Sequence, residues 1–166
     1  MNPISILVIS LLFACSGVYA QGKAAAEKEA RVLKGDDKGA AVTNPQCKLF
    51  STAEASHYIG ATVTTTENAG MGFGCQWAVG GGNGAMMVSV VPARYHEPPK
   101  LAQGFKKLPD VGVQGFVLPE MGGWGAGAIV GPQAIRVSLD GKGASESRVI
   151  ELLKETMKRH SASTSK

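Results

Sequence analysis

Two cysteines, Cys47 and Cys75, constrain this chain more than any other feature, because they are the pair left once an N-terminal leader is set aside. The leader is Met1–Ala20: an apolar stretch from Ile4 to Ala14, then Val18-Tyr19-Ala20 offering a signal-peptidase cut before Gln21. The stretch is about eleven residues long, short of the roughly 20 that cross a bilayer, so it predicts export and no membrane span. In an oxidising compartment two remaining cysteines allow one intramolecular bridge. A Cys47–Cys75 disulfide is expected, closing a loop of about 29 residues and stabilising by roughly 3–4 kcal/mol. The third cysteine, Cys15, follows Leu12-Phe13-Ala14, similar to a lipoprotein box. Lipidation there would anchor the protein, whereas cleavage after Ala20 discards the residue. Neither Cys47 nor Cys75 lies in a C-x-x-C pair, which argues against a redox motif.

Removing the leader leaves about 146 residues, room for one domain. With 44% hydrophobic and 18% charged residues the chain is of globular type. Its 22 glycines and 6% aromatic content exclude a large aromatic core and point to turns, bulges and thin strands. Residues 21–44 are polar and alanine-rich and read as a flexible tether. Pro45 and Cys47 open a single domain over residues 45–160, and residues 161–166 read as a disordered tail.

Within the domain, Ser51 stands three residues before Glu54, the spacing of a capping box, and Gly60 supplies a stop, so a short helix is expected between them. Strands are expected over Ala61–Thr66, Met71–Ala78 and Ala85–Val91, the first two as a hairpin. The second half is read as repeating that order. Leu101, Phe105 and Leu108 have helical spacing between Pro99 and Pro109, and strands follow at Val113–Leu118, Gly125–Val130 and Gln133–Leu139. Val149, Leu152, Leu153 and Met157 mark one face of a C-terminal helix running from Ser145 to about His160. The expected fold is α+β: an antiparallel sheet with helices packed on a face, in the order helix, three strands, helix, three strands, helix.

Cys47-Lys48-Leu49-Phe50-Ser51-Thr52-Ala53-Glu54, then Ile59-Gly60, Cys75-Gln76-Trp77, Leu108-Pro109-Asp110-Val111-Gly112 and a terminal helix together resemble a bacterial family of secreted proteins and lipoproteins, domain-of-unknown-function family 3558. The resemblance spans about Cys47 to His160. It implies a bridge between a cysteine ahead of the first helix and a later one followed closely by an aromatic. It also implies an envelope location, and it carries no known reaction.

The residues that could carry chemistry are scattered. His57, His96 and His160 lie on three different elements without H-x-x-x-H or H-E-x-x-H spacing, so no metal site is expected. A G-x-S-x-G nucleophile elbow is absent, and Asp110, Glu120 and Asp140 are separated by turn signals that argue against a facing acid/base pair. The glycine clusters Gly70–Gly74 and Gly122–Gly127 lack the Lys-Ser/Thr of a phosphate loop and read as bulges and turns. No cofactor is expected. A net charge of +4 and an isoelectric point near 9.0 come with interspersed acids, which does not support nucleic-acid binding.

What remains is recognition. Trp124 is read as lying in a glycine-rich loop with Glu120 and Met121, where it either covers the core, the favoured reading, or is a candidate contact for a partner, and Arg94, Tyr95 and His96 form a second candidate loop. The expected function is an exported, non-enzymatic envelope protein that binds an unidentified envelope protein or small ligand, a protein being favoured. The alternatives are a periplasmic immunity or inhibitor protein and, less favoured, an enzyme acting on cell-wall material.

Overall fold

The computed structural model describes residues 44–164, with the Met71 side chain left out. The expected leader, the Cys15 lipid site and nearly all of the tether lie outside the described residues. Asn44, where the tether reading ends, already belongs to the fold: it is 6% exposed. Its side-chain oxygen accepts from the Gln46 N–H, and its amide donates to the Gly74 carbonyl and to Asn68 Oδ1.

The first helix, α1 (Thr52–Ile59), forms where its capping signals place it. Ser51 Oγ accepts from the Glu54 N–H at 3.2 Å, and the Glu54 carboxylate accepts from the Ser51 N–H at 2.8 Å, satisfying two otherwise orphan donors. Gly60 ends the helix with φ 78°, a conformation open to glycine at little cost.

Among the described residues seven strands follow in one antiparallel sheet: β1 (Thr65–Ala69), β2 (Gly74–Ala78), β3 (Ala85–Pro92), β4 (Lys106–Lys107), β5 (Val113–Glu120), β6 (Gly123–Val130) and β7 (Gln133–Asp140). Their spatial order is β1-β2-β3-β7-β6-β5-β4. β1 to β3 form a three-stranded meander and β4 to β7 a four-stranded one, and the two join where β3 pairs with β7 at the centre. The terminal helix α2 (Glu146–Thr164) then packs across the sheet.

Register explains which face is buried. Cys75 pairs with Val88, Val88 with Val137, Val137 with Ala126, and Ala126 with Val117, forming one apolar row across five strands. All five are fully buried. Because side chains alternate along a strand, the same face also carries Trp77, Met86, Val90, Ile135 and Leu139. These meet Ala55 and Ile59 of α1 and Val149, Leu152 and Leu153 of α2 in a single core. The Cys47–Cys75 bridge is formed and ties the Pro45–Lys48 turn to β2.

The opposite face holds a smaller cluster. Phe116 pairs with Gly127, and a methyl group at Gly127 would lie 2.9 Å from the Phe116 ring, so the missing side chain on β6 makes room for the aromatic on β5. Phe105 stacks on Phe116 at 5.9 Å, and the His96 ring lies 5.7 Å away.

That cluster overturns one expectation. The stretch 99–109 is not a helix, so the described fold has two α-helices and not three. Pro98 and Pro99 and then Gly104, at φ 77°, favour turns, and a helix this short has little to offset nucleation. Phe105 leaves the helical pattern to stack on Phe116, Lys106 and Lys107 pair with Val117 and Phe116 as an edge strand, and Leu101 is fully exposed. Smaller shifts have local causes. β1 begins at Thr65, not Ala61, although the Thr64 N–H still donates to Ala78. β2 begins at Gly74 because Gly70–Gly72 forms a 3-10 turn. The terminal helix continues into the stretch read as a tail, where Ser161, Ser163 and Thr164 hydroxyls donate back to carbonyls one turn earlier.

Candidate binding site

The six residues singled out for recognition do not form one patch. Trp124 is in β6, not in a loop, opposite Pro119 and Leu139, and it packs half-buried against the core. Glu120 projects to the other face, where its carboxylate accepts from Arg136 at 2.8 Å and overlies Gly125. Met121 is fully exposed in the β5–β6 turn. Arg94, Tyr95 and His96 follow the far end of β3 and meet the start of β5. Glu120 is the last of the eight residues of β5, so it lies on the order of 20 Å from the strand's start. The loop reading of Trp124 fails because its flanking glycines are closely covered, Gly123 by the Leu139–Asp140 backbone and Gly125 by the Glu120 carboxylate. Those glycines therefore sit inside a strand.

The Arg94 end is built more elaborately than the sequence suggested. The Arg94 guanidinium lies 4.7 Å above the Tyr95 ring and donates to its hydroxyl at 3.3 Å. His96 Nε2 lies 3.3 Å from the Gln114 carbonyl, joining the loop to β5. Gln114 has φ 55°, the one non-glycine positive φ among the described residues, and it sits in a bulge where the β5–β6 register shifts. Such strained backbone persists only when its surroundings hold it. Here Leu108 and Gly115 hold it, the Leu108 N–H donating to the Gly115 carbonyl at 2.8 Å.

Between the loop and the bulge lies a cleft of about 630 Å³, lined by His96–Ala102 and Gln114. Of the five exposed large hydrophobic residues among those described, Leu101, at 102%, lines the cleft, and Tyr95, at 64%, and Val113, at 61%, directly adjoin its lining residues His96 and Gln114 in the chain. Leu101, Val113 and Gln114 were missed from sequence. The helical spacing of Leu101 concealed it, although the adjacent proline pair and Gly104 are signals against that helix.

A second groove, about 820 Å³, runs between α1 and α2 past His57, Ile150, Glu151 and Lys154. Its most ordered charges are occupied with folding. Arg159 donates to Glu54 and Glu155 and to the Leu49 carbonyl, with its guanidinium 4.4 Å from the Phe50 ring. The hydrogen bond from Arg159, assisted by the Ser51 cap, pulls the Glu54 pKa down from 4.5 to about 2. Burial, then the nearby Glu151 and Glu155 charges, push the Tyr58 pKa up.

The Glu54 shift makes a pH prediction. A carboxyl whose folded pKa is lowered contributes stability above its unfolded pKa and loses it on acidification. Wild type should therefore exceed Glu54→Gln in stability at neutral pH, and the gap should close between about pH 4.5 and about 2. At 42% side-chain exposure, solvent screening keeps the gap modest. Urea midpoints of both proteins across that range provide the check, and a gap independent of pH would contradict it.

Among the described residues no three His, Cys, Asp or Glu side chains are grouped to hold a metal ion. His57 is exposed on α1, and His160 Nε2 contacts Gln133 Oε1. The Asp140 carboxylate accepts from the Ala85 N–H. None of the described helices is long and apolar enough to cross a membrane. No protein-family model, curated protein or solved structure matches the chain.

Proposed function

We propose that this is an exported, non-enzymatic envelope protein that binds a protein partner through the cleft end of its sheet. The observation that carries the reading is the exposed Leu101 in a concave loop that His96 ties to Gln114, with the exposed Tyr95 and Val113 each one residue from that tie. Exposed apolar side chains beside a concavity are what interfaces bury, whereas scattered single ones carry no meaning. Export is supported by the disulfide, since such bridges persist in oxidising compartments.

Affinity capture from an envelope fraction, with the disulfide intact, tests it. A Tyr95→Ser, Leu101→Ser double variant is expected to lose a stoichiometric partner that both wild type and Met121→Ser retain. Met121 is equally exposed but lies at the opposite end of β5, which makes it the control for apolar exposure alone. Equal retention by all three proteins, or recovery of no protein by wild type, overturns the reading.

A further inference from the structure

We propose that Asn83 is a covalent modification site, whose side-chain amide is displaced by the Gly84 nitrogen so that the protein ages there into aspartyl and isoaspartyl forms. Asparagine is among the thermally labile residues, and its surroundings decide whether the reaction can run. The turn between β2 and β3 reads Gly80-Gly81-Gly82-Asn83-Gly84. Asn83 is exposed in it, and its amide donates to the Gly80 carbonyl at 3.2 Å. The Gly84 carbonyl accepts from the Val79 N–H at 2.9 Å, but the Gly84 N–H makes no hydrogen bond among the described residues, so the attacking nitrogen is free. Packing also demands glycine at that position. A methyl group on Gly84 would lie 2.7 Å from Ile59 Cγ2 and 3.2 Å from the Asp140 carbonyl oxygen, and φ there is 146°. The fold thus places after Asn83 the residue that shields its own nitrogen least. Gly81 and Gly82, at φ 73° and 72°, give the turn the freedom to rotate Asn83 from ψ 16° into line for attack.

The two other described asparagines lack this arrangement. Asn44 precedes Pro45, whose nitrogen has no proton to lose, and Asn68 lies within β1 opposite Cys75, with Ala69 next to it. At Asn83 the Gly84 nitrogen gives its proton to solvent base and bonds to the side-chain carbonyl carbon. The bond from that carbon to the amide nitrogen breaks, and ammonia leaves with a proton supplied by water. A second water then adds to one of the two carbonyls of the cyclic imide. Addition at the side-chain carbonyl gives aspartate, and addition at the main-chain carbonyl gives isoaspartate. In the isoaspartyl form the main chain runs through Cβ and is one carbon longer, just ahead of the buried Gly84 and of the Ala85 N–H that Asp140 holds.

Peptide mapping by mass spectrometry of the folded, disulfide-intact chain during incubation at about pH 8 tests the proposal, with a second incubation at about pH 6 as the slower arm, since the nitrogen must lose its proton. Amide loss at Asn83 is expected to outpace loss at Asn68 by more than about tenfold and to rise with pH. Asn83→Gln, whose longer side chain disfavours the ring, should abolish the fast release of ammonia. Once the products are separated by ion exchange, the isoaspartyl form is expected to melt below Asn83→Asp, which carries the same charge on an unaltered backbone. Equal loss at Asn68 and Asn83 overturns the proposal. So does an Asn83 amide that persists in the folded chain while a Gly-Gly-Asn-Gly-Ala peptide loses its own, because the turn would then protect the site. An isoaspartyl form that melts with Asn83→Asp overturns the role given to Gly84 packing.

Discussion

Replacing Cys47 and Cys75 together with alanine is expected to cost about 3–4 kcal/mol and to lower the melting temperature by roughly 10–20 °C. The bridge closes a separation of 28 residues, and freeing it returns that loop's entropy to the unfolded chain. The bridge also has a local role in the native state. Cys75 is fully buried in the apolar row of the sheet, and its link holds the Pro45–Lys48 turn. From that turn Asn44 reaches Gly74, while Leu49 and Phe50 enter the core. Thermal unfolding followed by circular dichroism, comparing the double alanine variant with oxidised wild type, measures the effect. A shift of only a degree or two would mean that packing alone holds the segment.

Trp77→Ala should cost about 3–5 kcal/mol, the range for removing a fully buried large aromatic from a packed core. Trp77 is 1% exposed. Its ring meets Phe50 edge-on at 6.1 Å and 88°, and Phe50 in turn meets Tyr58 edge-on at 6.0 Å and carries the Arg159 guanidinium on its face. Truncating the indole leaves a cavity where β2, α1 and the disulfide-tethered segment converge. Trp77→Phe should recover much of the loss by restoring an edge-to-face partner. Urea unfolding of the two variants tests this, and a loss below about 1 kcal/mol for alanine would show that the site collapses freely.

The elements legible in the sequence are those whose signals are local. The Ser51–Glu54 box and Gly60 specify α1 through neighbours within one turn. The spacing of Val149, Leu152 and Leu153 identifies α2 because its buried stripe repeats over several turns. The strands β3, β5 and β7 show period two or β-branched runs, and the cysteine pair needed only the compartment and the count. The illegible elements depend on partners distant in the chain. Phe105 sits in a plausible helical pattern until Phe116 and the empty space at Gly127 offer it a stacking site. Trp124 has the neighbours of a loop residue, yet the glycines beside it accommodate Glu120 and other strands, so the segment extends β6. The candidate site was thus half legible. Arg94–His96 borders the cleft that the exposed Leu101 lines, whereas Glu120, Met121 and Trp124 are at the other end of β5 and divide between opposite faces and a turn.

The central β3–β7 pairing also sets when the molecule can fold. As the chain is made, β3 appears early, but the neighbour that covers its second edge is the last strand, and α2 comes later still. An N-terminal portion ending before Gln133 has Met86, Val88 and Val90 beside an open edge, with no Val149, Leu152 or Leu153 to lie over them. Burial of the shared core therefore waits for the C-terminal part of the chain, since long-range pairing repays its entropy only when both strands exist. A chain built this way leaves its shared core incomplete until β7 and α2 have been made.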